Sequence, residues 1–236
     1  MRHTATTILV LLAFAGRLSA QQPSEHETHD MMDMHDAAGS AHMLHMEMTP
    51  GRSPTRADSA RAADVARTLK VALEKYRDPR AAEADGFKLF APGMRNQRIY
   101  HYTNYRYALE EAFRFNPAKP TSILYRKAPD GSMELVGAMY SAPKRMAVAK
   151  LDKRVPLSIA HWHRHVNLCS PKQGDEQRWM ERNGDVPVFG PESPIATKAA
   201  CDAVNGEFRP NLFGWMVHAN VMLSDDPKVV WGDDHK

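Results

Sequence analysis

The sequence predicts an α+β domain, a single body of helices packed on a mainly antiparallel β-sheet and preceded by a disordered tail. Three observations predict it. Apolar residues recur at helical spacing after Thr55, a β-hairpin pattern spans Thr121 to Tyr140, and the later apolar runs are joined by loops rather than by the regular strand-helix alternation of a doubly wound fold. The chain has 236 residues. Setting aside a leader (1–20) and a polar segment (21–54) leaves about 180 residues (55–236), enough for one domain with a substantial core.

The first element is a leader. Met1-Arg2-His3 is a short basic start, Ile8–Gly16 is an apolar run too short to span a bilayer, and Leu18-Ser19-Ala20 ends in small residues. That order is the pattern of a secretory signal peptide, with cleavage expected after Ala20. No other apolar run approaches membrane-spanning length, so the mature chain is expected in the periplasm or outside the cell with no membrane span. After cleavage the net charge is +1, divided into −6 over residues 21–48, which hold no Lys or Arg, and about +7 over the rest. The basic residues are scattered and no nucleic-acid motif occurs, so nucleic acid is excluded as a partner.

From Gln21 to Pro54 the composition lacks core-forming residues and is expected to be disordered. It carries His26, His29, His35, His42 and His45 together with Met31, Met32, Met34, Met43, Met46 and Met48. Thioether sulfur selects Cu(I), imidazole binds both copper oxidation states, and a zinc tract would have no use for so many methionines. Copper therefore stands ahead of zinc or iron as the cofactor. The stretches MMDMHD and HMLHMEM resemble the Met/His-rich segments of periplasmic copper-handling proteins. That resemblance implies metal capture by the tail, with metal ions and another metal-handling protein as partners, and does not extend to the folded domain.

The domain opens with Thr55-x-x-Asp58, a capping-box start, followed by Ala60, Val65, Leu69, Ala72, Leu73 and Tyr76 at helical spacing as far as Arg77. Asp78-Pro79 caps a short second helix that Gly86 closes. Arg98–Tyr102 reads as a strand, and a helix runs from Asn104 to Phe113 with Tyr105, Ala108, Leu109 and Ala112 on its apolar side. Thr121–Arg126 and Met133–Tyr140 flank Pro129-Asp130-Gly131-Ser132 as a hairpin. A His-rich strand starts near Pro156, short helices are expected at Gly174–Glu181 and Pro194–Val204, and a last strand at Leu212–Met222 alternates Phe213, Trp215, Val217, Ala219 and Val221 with Met216, His218, Asn220 and Met222. Ala84-Asp85-Gly86, His101-Tyr102-x-Asn104 and the hairpin resemble a group of secreted bacterial proteins of unassigned function, a resemblance that implies secretion and no activity.

The chemistry concentrates in Ile159–Cys169. On a strand His161, His163, His165, Asn167 and Cys169 share one face, a row of imidazoles and a thiol suited to copper, zinc or iron. If the last strand is a neighbour, His218 joins them with Met216 as a weak axial ligand, and His101 is the next candidate. Cys169 and Cys201, the two cysteines, form a disulfide in an oxidising compartment, or Cys169 serves as a thiolate ligand. The function expected is an extracytoplasmic copper-binding protein for sequestration, transfer or resistance. Two alternatives stand beside it: a secreted metalloenzyme with a three-His site, hydrolase or oxidoreductase, and a secreted interaction domain whose histidines bind no metal. The acid and glycine pattern that follows the histidines in cupins is missing after HWHRH, and there is no nucleophile elbow, phosphate loop or dinucleotide fingerprint.

Overall fold

A computed structural model describes residues 43–92 and 97–232. The expected signal peptide and the tail ligands from His26 to His42 lie outside the described residues. No helix among the described residues is long and apolar enough to cross a membrane.

Capping chemistry places the helices. In α1 (Arg56–Leu73) the Thr55 hydroxyl accepts from the Asp58 N–H while the Asp58 carboxylate accepts from the Thr55 N–H, so the capping box forms in full. The Arg52 guanidinium, 2.7 Å from both carboxylate oxygens, holds the Asp58 carboxyl well below the usual range. A 3₁₀ turn (Glu74–Tyr76) continues α1, and α2 (Pro79–Ala84) starts at Asp78 with proline in its first turn. Asn104 caps α3 (Tyr105–Phe113), followed by α4 (Val148–Arg154), α5 (Lys198–Ala203) and α6 (Pro227–Val230).

The strands are β1 (Met46–Met48), β2 (Lys88–Leu89), β3 (Tyr100–Thr103), β4 (Ser122–Lys127), β5 (Met133–Ala142), β6 (His163–Ser170), β9 (Glu207–Asn211) and β10 (Trp215–Ala219), with a separate ribbon of β7 (Arg182–Asn183) and β8 (Val186–Pro187). The main sheet runs β1-β6-β10-β5-β4-β3-β2, with β9 paired to β6 and every pairing antiparallel. Helices packed on a mainly antiparallel sheet is the expected fold class. One face carries the main core: Ile123, Tyr125, Ala138, Tyr140, Val217 and Ala219 meet Leu69, Leu73, Tyr76 and Phe87, all buried. The opposite face carries a smaller cluster of Leu124, Val136, Met139 and Met216.

Four features differ from the sequence expectation. Residues 43–54 do not continue the expected disorder. Met46–Met48 pair with β6 in the register Met46↔His165, Glu47↔Arg164 and Met48↔His163, and Arg164 grips the Glu47 carboxylate at 2.6–2.8 Å. The His-rich strand begins at His163, not Pro156, because residues 156–160 close a turn through Ala160 N–H to the Pro156 carbonyl. Helix α3 buries Glu111 and leaves Tyr105, Leu109 and Phe113 at 62, 65 and 84% exposure, the reverse of its apolar spacing. Strand β9, polar and containing Pro210, was not expected; it pairs with β6 on both sides of Asn167, whose φ is +55°, from Val166↔Asn211 to Ser170↔Glu207.

The cysteine alternatives resolve as a disulfide. Cys169 and Cys201 are bonded, with Cα atoms 5.5 Å apart and both side chains buried. Cys169 is therefore not a thiolate ligand. Gly206 allows this packing, since a Cβ there would stand 2.5 Å from Cys169 Sγ and 2.8 Å from Cys201 Sγ.

Candidate functional site

The condition set by the sequence, that the His-rich strand and the last strand be neighbours, is met. Strand β10 pairs with β6 at a single position, Met216↔His163. Beyond it no further β6–β10 pair forms among the described residues, so the two strands fork, while the other edge of β10 keeps its ladder with β5 from Trp215 to Ala219. The fork holds a cavity of about 90 Å³ lined by Met48, His161, His163 and His218 with Val217, Trp231 and Gly232.

Each lining side chain is set by its own local structure. His163 is buried at 2% exposure as the first residue of β6, between Met48 on β1 and Met216 on β10. His218, at 8%, stands one residue past the middle of β10. Their ring centroids are 5.1 Å apart. An imidazole nitrogen about 2.0–2.1 Å from an ion puts its ring centroid about 3.2 Å away, so two rings at the tetrahedral angle stand about 5 Å apart. The pair thus has the spacing of two imidazoles on one ion.

His161 lies outside β6 and is exposed, yet reaches the same cavity. Its Nδ1 lies 3.2 Å from the Thr49 carbonyl oxygen. A carbonyl only accepts, so this contact assigns the proton to Nδ1 and leaves the Nε2 lone pair for a ligand. Gly51 crowds the ring: a Cβ there would sit 3.0 Å from His161 Cε1. Trp162 between the two histidines points into the main core, and its backbone is fixed by Thr49 through Thr49 N–H to Trp162 O (2.8 Å) and Trp162 N–H to Thr49 Oγ1 (3.1 Å).

Two further histidines extend the row. His101 on β3 is 5.8 Å from His218, and His165 is 5.8 Å from His163, ring centroid to ring centroid. Neither lines the cavity as described, and Met216 sits beside His163 in register without lining it. Among the described residues, no three His, Cys, Asp or Glu side chains are already arranged as a metal-ligand set.

No family model, curated protein or solved structure matches the chain.

The end of the expected tail divides. His45 is fully buried, with Nδ1 3.0 Å from the Asn167 carbonyl oxygen and Nε2 2.5 Å from that of Ser193. His45 thus packs within the folded part of the chain rather than standing in an open tail. Met46 is buried opposite His165, and Met43 is exposed. Met48, assigned to the tail by composition, is part of the cavity. The signal for it was present in the sequence: Met46-Glu47-Met48 alternates with period two, as an edge strand beside His-x-His-x-His would.

Proposed function

We propose that the chain is an extracytoplasmic copper-binding protein, which holds one ion in the fork between β6 and β10 and gathers others on its Met/His-rich segment. The observation that carries the reading is the convergence of His161, His163, His218 and Met48 on one cavity, from three separate parts of the chain. His163 and His218 already have the mutual spacing of coordinated rings. His161, with Nδ1 at the Thr49 carbonyl, lines the same cavity and supplies the third imidazole. A bond between Cys169 and Cys201 agrees with an oxidising compartment, as does the leader pattern of residues 1–20.

Binding is favoured over catalysis because no Asp or Glu is among the described residues lining the cavity, so none of these residues would relay a proton to or from an activated water. The segment carrying His26 to Met43 precedes β1, whose Met48 lines the cavity, so ligands gathered there are tethered to the site at high effective concentration. The test is a copper titration of the full chain against a competing chelator, beside His163→Ala and His218→Ala. The tightest equivalent should be lost in both variants while weaker equivalents persist. Equal retention of that equivalent in both variants refutes the reading.

A further inference from the structure

We infer that the cavity is built for the cuprous ion, with the Met48 thioether as the ligand that selects it; this rests on the copper reading above. The strand register surrounds the two buried histidines with sulfur. His163 stands opposite Met48 on one side and opposite Met216 on the other, and His218 stands opposite Met139 of β5. Residues directly opposite in antiparallel strands share a face, with Cβ atoms about 4.5–5.5 Å apart. Met216 and His218 also share a face as second neighbours on β10.

The three methionines are not equivalent. Met139 and Met216 are buried with Leu124 and Val136, where packing alone accounts for them. Met48 is half-buried and lines the cavity with the imidazoles, in a place where leucine would fill the same volume. What methionine adds there is a soft donor with no proton to lose. Cu(I) accepts thioether and imidazole together, whereas Cu(II) prefers four nitrogen or oxygen ligands in a tetragonal array. Two or three imidazoles and one sulfur at the mouth of a fork meet the first demand and not the second.

Met48→Leu removes the sulfur and keeps the bulk. The full chain and this variant are titrated with Cu(I) under ascorbate against a chromophoric cuprous chelator, and with Cu(II) in air against an amino-acid chelator. Met180→Leu, exposed and outside both the cavity and the Met/His-rich segment, is the control. Met48→Leu should lower Cu(I) affinity by about tenfold or more and change Cu(II) affinity by less than about threefold, with Met180→Leu leaving both unchanged. Unchanged Cu(I) affinity in Met48→Leu, or an equal loss for both oxidation states, overturns the inference. X-ray absorption with one equivalent of Cu(I) on the unmodified chain and on Met48→Leu reads the same point spectroscopically. The unmodified chain should show a sulfur neighbour at about 2.3 Å that Met48→Leu lacks, and a purely nitrogen shell in the unmodified chain, or the same sulfur shell in both, overturns the inference. Failure of the copper reading itself is distinct: His163→Ala then holds copper in both states as tightly as the unmodified chain.

Discussion

Replacing Glu111 with Gln is expected to stabilise the chain above pH 7 and to change little near pH 4. The Glu111 carboxyl is 2% exposed; its Oε2 accepts from the Thr121 hydroxyl and from the Ser141 N–H at 3.0 Å, while Oε1 has no hydrogen-bond partner. Arg154, the cation nearest to hand, donates through Nη2 to the Glu111 backbone carbonyl at 2.7 Å. Burial pushes the carboxyl up from 4.5 to about 7, against the opposing pull of Thr121, Ser141 and the Arg154 charge. A raised acid pKa means that the folded chain holds this proton more tightly than the unfolded chain does. Stability from this group is therefore greatest below pH 4.5, falls as pH rises through the window from 4.5 to about 7, and is constant above it. At 1.36 kcal/mol per pH unit the window is worth about 3 kcal/mol as a ceiling. Glutamine keeps the acceptor oxygen for Thr121 and Ser141 and never ionises. Urea unfolding followed by tryptophan fluorescence from pH 4 to 8 measures the difference directly. The two stability curves should meet at low pH and diverge by up to about 3 kcal/mol at pH 8; parallel curves refute the burial account of Glu111.

Two further outcomes follow from the packing. Gly51→Ala pushes a methyl group against the His161 ring, 3.0 Å from Cε1, so copper affinity should fall by about tenfold or less while urea unfolding moves by under about 1 kcal/mol; a large stability loss with copper affinity intact would contradict the placement. Cys201→Ala opens a crosslink between residues 32 apart, and the loop-entropy relation gives a loss of about 3–4 kcal/mol, read as a lower urea midpoint that the reduced unmodified chain shares.

What was legible in the sequence was local. The Thr55-Asp58 box, Asp78-Pro79 and the Asp130-Gly131 turn each fix structure through neighbours within a few residues, and all three formed. Helix α3 departs from its local apolar spacing because its inward side is chosen by distant partners: Glu111 is held by Thr121, Ser141 and Arg154, while Tyr105, Leu109 and Phe113 face outward. Composition alone assigned Met46–Met48 to a disordered tail. Pairing with β6, the Glu47–Arg164 ion pair and the burial of His45 place them in the sheet, and none of those contacts is local. The candidate site was half visible for the same reason. The period-two histidines pointed to His163, but the neighbour that brings His218 to it, and the edge strand that brings Met48, depend on strand order.

The most direct measurement is a crystal of the full chain grown with one equivalent of copper, with data collected at the copper absorption edge. One strong anomalous peak is expected in the fork between β6 and β10, about 2.0–2.1 Å from a ring nitrogen of His163 and of His218. A fully loaded crystal with no peak in that fork, or with copper held only by residues 21–45, would contradict it.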